Sequence, residues 1–100
     1  MARKLLVLFE DDWELRGNGL GNVADLQYLP ARFLLDIGEE FGLRFNFMVE
    51  VLQQLAFRRH AAASRDLRLQ ADLWDHTVQW MKAQGHDVQL HLHPQWRQAA

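Results

Sequence analysis

Two periods of apolar spacing alternate along the chain. Lys4–Phe9, KLLVLF, is a nearly continuous apolar run, which suits a strand buried on both faces as in a parallel sheet. EDDWE follows at the C-terminal end of that strand. RGNGLGN, Arg16–Asn22, reads as a loop whose glycines permit positive φ. LPARFLLDIGEEFG predicts a helix, with Pro30 in its first turn, Phe33, Leu34, Ile37 and Phe41 on one apolar face, and Gly42 as its stop. RFNFMV alternates, with Phe45, Phe47 and Val49 on one side and Asn46 and Met48 on the other, which predicts a second strand. Glu50–Phe57 reads as a short helix and RRHAAASRDLR as a polar surface loop. Leu69–Gln84 is a third helix, with Leu73, Trp80 and Met81 as its buried candidates and Gly85 at its end. DVQLHLHPQW, Asp87–Trp96, is the last strand.

Strands separated by helices imply an α/β fold with parallel pairing and right-handed crossovers. There is no internal repeat, low-complexity tract or domain boundary. The chain of 100 residues is 49% hydrophobic and 24% charged, which fits one small globular domain. Its formal net charge is -2, and without a basic stripe a nucleic-acid partner is not expected. No segment approaches the length of a membrane span, so no membrane partner is expected either. The apolar start Leu5–Phe9 is too short for a signal-peptide core and acids follow at once, so a cytoplasmic location is expected. With no cysteine in the chain, any metal must be held by histidine and carboxylate.

The last strand poses a chemical question, because residues i and i+2 share a face. Val88, Leu90 and Leu92 make one apolar face, while Gln89, His91 and His93 make a polar one. Parallel α/β folds place ligands at the C-terminal ends of their strands, where the first strand also ends, in Glu10-Asp11-Asp12. If the two strands are near neighbours, carboxylates and imidazoles converge at one rim. Two imidazoles and a carboxylate form a common site for zinc or another divalent ion, and a second carboxylate can act as general base. Taken alone, an acidic pair after a strand is more often a solvated turn, and an isolated His-x-His is more often structural. It is their co-occurrence at matching strand ends that points to a metal. His60 and His76 belong on the surface, and His86 at a turn or on the surface. Trp13 and Trp96 each flank the polar cluster, where they either pack or stack on a sugar.

This pattern resembles the N-terminal part of the polysaccharide deacetylase family, metal-dependent esterases that remove acetyl groups from N-acetylated sugars. The family opens with a strand ending in Phe-Asp-Asp-Gly, matched here by LLVLFEDDWE. An aromatic-rich strand follows, here FGLRFNFMVE, and then Gly-His-Glu-Ile/Val with a histidine strand ending in His-Pro, here MKAQGHDVQLHLHPQW. The resemblance implies a distorted (β/α) barrel, a Zn²⁺ cofactor and an N-acetylated saccharide or related amide as substrate. It makes Asp11 the general base and Asp12, His91 and His93 the metal ligands.

Three departures leave alternatives open. Glu10 precedes the acidic pair, so Glu10-Asp11 can be the functional pair instead. The family's two histidines stand four residues apart and these stand two apart, which leaves Gln89 in one ligand's place when His93-Pro94 is matched. Trp13 replaces the usual glycine. The later strands of the family, which supply an arginine motif, further aspartates and a histidine that protonates the leaving amine, have no counterpart after Trp96. The chain is therefore expected to be the front half of a catalytic domain, inactive by itself. Two other readings compete with catalysis. One is a non-catalytic metal- or sugar-binding relative. The other is a response-regulator receiver, which the last strand disfavours because no aspartate stands where the phosphoacceptor would.

Overall fold

A computed structural model describes residues 3–15, 21–93 and 96, and it has the expected α/β architecture of parallel strands alternating with helices. Strand β1 is Phe9–Trp13, β2 is Phe45–Glu50 and β3 is Asp87–His91. Helix α1 spans Leu29–Phe41, α2 Val51–His60 and α3 Arg65–Ala83, and a π-helical turn, Ala24–Tyr28, runs straight into α1. The sheet order is β1-β2-β3. Phe9–Trp13 pairs in parallel with Phe45–Val49, and Asn46–Glu50 with Asp87–His91. Among the described residues no helix is long and apolar enough to cross a membrane.

The alternation read from β2 holds: Phe45, Phe47 and Val49 are buried, while Asn46 and Met48 are half-buried. The buried face meets Trp13 of β1 and residues of all three helices, including Ala31, Leu35, Ala56, Trp74 and Met81. On the opposite face Glu10, Asp12 and Gln89 are exposed. The helices therefore cover one side of the sheet.

Four elements depart from the sequence reading, each for a physical reason. First, β1 begins at Phe9 rather than Lys4, because pairing needs a partner. Gly42 ends α1 with φ +68°, Leu43 N–H returns to the Gly38 carbonyl at 2.9 Å, and β2 can only start after that turn. Leu5–Leu8 thus run past the sheet, 56–90% exposed. Second, α1 buries Ala31, Leu35 and Gly38, not Phe33 and Phe41, which are 65% and 66% exposed. The helix lies too close to the sheet for large residues there. A β-carbon on Gly38 would stand 3.0 Å from the Leu43 carbonyl and 3.2 Å from the Phe45 ring. Third, most of the expected loop Arg58–Arg68 is helix. α2 runs on to His60, and Ser64 caps α3 by accepting the Leu67 N–H at 3.2 Å. Arg58 then ties the two helices together through Asp72 and Asp75. Fourth, the apolar side of β3 stays open, with Leu90 71% and Leu92 57% exposed, because the helices centre on β1 and β2.

His86 is also misplaced by sequence. It is 6% exposed, and its Nδ1 accepts the Phe45 N–H at 3.0 Å between the Phe45 and Phe47 rings. Burial, with the Arg44 guanidinium nearby, pushes its pKa below the ordinary value. The ring is therefore held neutral, with Nδ1 as an acceptor.

Two predictions follow from the packing. Leu35→Ala, at a fully buried site, should cost about 2–5 kcal/mol, whereas Phe33→Ala should stay within about 0.5 kcal/mol, both read from urea unfolding. For His86, the unfolded ring takes a proton near its ordinary pKa of about 6.5 while the folded ring resists it. Between those values the unfolded chain binds more protons, so stability falls as pH is lowered through that window. The drop in unfolding midpoint from neutral to mildly acidic pH should shrink in His86→Asn.

Candidate metal centre

The register carries four side chains to one rim. Trp13 pairs with Val49, and Glu50 with His91. One residue past β1, Glu14 therefore stands level with Glu50 and His91 at the C-terminal ends of three adjacent strands. By parity Glu14, Glu50, His91 and His93 belong to the face that the helices leave open. Their ligand atoms all lie within 4.8 Å of one another.

Three of those atoms form a tight triangle. Glu14 Oε2 is 2.9 Å from His91 Nε2 and 2.8 Å from His93 Nε2. The two Nε2 atoms are 2.7 Å apart, with the rings edge to face at 4.5 Å between centroids. Glu14 Oε2 is buried from solvent. Protons alone do not satisfy this arrangement. Each Nε2 either carries one hydrogen or accepts one, so if both donate to Glu14 Oε2 the two rings meet N–H against N–H, and if one donates to the other a contact with the ionised carboxylate is left without a donor. A single cation satisfies all three at once. Bonds of about 2.0–2.2 Å to one ion set its ligand atoms roughly 3–3.5 Å apart, so the triangle would open by a few tenths of an ångström on binding one. The donor set, two imidazoles and one carboxylate, is that of a divalent-metal site with positions left over for water.

Glu50 plays a different part. It is fully buried, and both of its oxygens are engaged by backbone amides. Oε1 accepts the Leu52 N–H at 2.9 Å, which caps α2, and Oε2 accepts the His93 N–H at 2.6 Å. One carboxylate thus fixes the start of a helix and the backbone of a candidate ligand, as carboxylates outside a ligand set commonly do. Glu14 is held from both sides. The Trp13 indole N–H donates to the Gln27 carbonyl at 2.8 Å and the Leu15 N–H to Gln53 Oε1 at 2.9 Å. Gln53 in turn donates to Gln27 Oε1 at 2.6 Å.

The residues singled out by sequence divide accordingly. His91 and His93 come together, and both face the same carboxylate. Asp12 shares their face but stands two residues short of Glu14 and is exposed; it is not part of the group, and Glu14 takes the place expected for it. Asp11 lies on the opposite face, level with Phe47. Burial, with the Asp12 charge adding to it, raises its pKa. The structure thus does not bring Asp11 to the imidazoles. Glu10 is exposed at the start of β1, and Gln89 is exposed and donates to Asp87 at 2.8 Å. Neither joins the site. Trp13 and Trp96 are 2% and 5% exposed and pack against Trp74 and Phe57 respectively, tilted in the first pair and edge-to-face in the second. Both are core residues, with no open face for a sugar.

Sequence reasoning missed Glu14 and Glu50. Each ends a strand motif already in view, EDDWE and FNFMVE, and Glu14 has the parity of Asp12. The missing signal was that β1 runs four residues further than its apolar run.

Comparison with protein-family models, with curated proteins and with solved structures finds no match. The site itself defines what can be said of class: a parallel α/β protein with a His-His-Glu cluster at the C-terminal rim of its sheet.

Replacing Glu50 tests its positioning role. Glu50→Ala strands two backbone donors, so it should cost about 2 kcal/mol or more, with faster amide exchange at Leu52 and His93. Glu50→Gln, which keeps one acceptor oxygen, should lose less.

Proposed function

We propose that this chain carries the metal-holding half of a hydrolase centre that removes acetyl groups from N-acetylated saccharides, within a (β/α) barrel of the polysaccharide deacetylase type. The observation that carries the reading is the triangle of Glu14 Oε2, His91 Nε2 and His93 Nε2, 2.7–2.9 Å apart. The setting supports it. A parallel sheet with helices on one side is compatible with the wall of such a barrel, and barrel enzymes work at the C-terminal ends of their strands.

Glu14, His91 and His93 would hold the ion, with Zn²⁺ the best match to this donor set. Bound there, a divalent ion supplies a Lewis acid and eases the deprotonation of water near neutral pH. Amide hydrolysis consumes one water, breaks the C–N bond and yields acetate and an amine. It needs a proton acceptor for the water and a donor for the departing nitrogen. Asp12, exposed on the open face two residues before Glu14, is the candidate acceptor for the first proton. Asp11, on the covered face, is not. The remaining titratable group of the cluster, Glu50, is committed to two backbone amides, so an acetyl ester with a good leaving group is the substrate to try first.

The test has two parts. The folded chain should bind about one equivalent of Zn²⁺ by titration calorimetry, and His91→Ala or Glu14→Ala should weaken binding at least tenfold while Asp11→Asn leaves it intact. The Zn²⁺-loaded chain should then release p-nitrophenol from p-nitrophenyl acetate faster than the His91→Ala variant. Binding without hydrolysis would favour the non-catalytic metal-binding reading. A folded chain that takes up no Zn²⁺ would remove both.

A further inference from the structure

Ahead of β1, Leu5–Leu8 have no strand partner among the described residues. Leu5, Leu6, Val7, Leu8 and Phe9 are 90%, 82%, 56%, 66% and 40% exposed. They lead directly into β1, which pairs only with β2 among the described residues, so its outer edge keeps free N–H and C=O groups. A β-prone, uncharged, apolar run beside an open strand edge is a template for pairing with another chain.

The flanking charges say which chain. Arg3-Lys4 precedes the run and Glu10-Asp11-Asp12 follows it. The order basic, apolar, acidic is complementary to its own reverse. Set antiparallel to a second copy about Val7, the segment places Val7 opposite Val7, Leu6 opposite Leu8 and Leu5 opposite Phe9. The same register places Lys4 opposite Glu10 and Arg3 opposite Asp11, twice over by symmetry. A parallel in-register pairing would instead put like charges side by side, which is unfavourable.

We propose that two copies of this chain associate through antiparallel β1–β1 pairing centred on Val7, joining their sheets into one of six strands, an arrangement that takes the β1 edge in place of the barrel closure proposed above. Each arm then lies along the open edge of the other copy's β1. The contact is isologous and closes on itself, as stable homodimers require. Five contiguous apolar side chains leave a patch on the order of 500 Å², at the upper end of what a monomer carries. Pairing of the two edges satisfies their free backbone N–H and C=O groups and brings the flanks of the two apolar arms together.

Charge exchange tests both the occupant and the register. Sedimentation equilibrium of the wild-type chain up to about 100 μM should show a monomer–dimer equilibrium. Lys4→Glu alone and Glu10→Lys alone, both at exposed positions, should each weaken it at least about tenfold. Mixing the two variants should restore a one-to-one dimer, because each supplies the charges the other lacks. The chain has no cysteine, so Val7→Cys reports the centre of the pairing and should oxidise to a covalent dimer faster than Leu5→Cys. A chain that stays monomeric throughout overturns the proposal and leaves the arm to another partner. So does a dimer indifferent to both charge changes, or a mixture that fails to pair.

Discussion

The parallel register of β2 against both of its neighbours is the constraint on which the rest of this structure depends. β2 is the strand bonded on two sides, and its alternation of buried Phe45, Phe47 and Val49 with half-buried Asn46 and Met48 decides which way each neighbour must face. A slip of one residue in either pairing would turn Trp13 out of the core, or separate Glu14 from His91. Trp13 resists that slip. Its ring is buried against Trp74 and its N–H is committed to the Gln27 carbonyl, so the end of β1 is pinned where its rim residue meets the imidazoles.

That pinning explains why so much buried polarity gathers behind the rim. Gln27, Gln53 and Glu50 are all fully buried, a costly choice unless each is hydrogen-bonded. Gln53 and Glu50 bond to the backbone on either side of the cluster, at Leu15 after Glu14, Leu52 at the start of α2, and His93 itself, while Gln27 Oε1 accepts from Gln53 and its Nε2 has no partner among the described residues. The π-helical turn Ala24–Tyr28 presents the Gln27 carbonyl to Trp13 and the Gln27 side chain to Gln53. Such turns are frequent at functional sites, and here the turn supports the strand that carries Glu14. The glutamines act through positions of backbone, and Glu50 both holds backbone and brings an oxygen to within 4.8 Å of the other ligand atoms.

The sheet is asymmetric in a way that ties the site to the surface. With helices on one side, the open face and the C-terminal rim are free for chemistry, while the outer edges of β1 and β3 have no partner among the described residues. The exposure of the Leu5–Phe9 arm at one edge and of Leu90 and Leu92 at the other belongs to the same design. A short sheet covered on one face has more apolar surface than its own helices can reach.

Local pattern determined much of this protein. The order of elements, the parallel α/β class, the faces of β2 and the meeting of His91 and His93 on one side of β3 all follow from spacing, because periods of two and 3.6 residues are properties of the backbone. What tertiary structure alone decided is where each element stops and what stands across from it. KLLVLF has the composition of a buried strand, yet all of it but Phe9 lies outside the sheet because β2 begins too late to pair with it. Phe33 and Phe41 have the spacing of a core face, yet the close approach at Gly38 selects Ala31 and Leu35 instead. His86 gives no local sign of burial, since its acceptor role depends on the amide of Phe45, 41 residues away in sequence. Glu14 and Glu50 are ordinary acids at strand ends until the register brings them beside the histidines, and registers are set by packing between strands, which no single segment encodes.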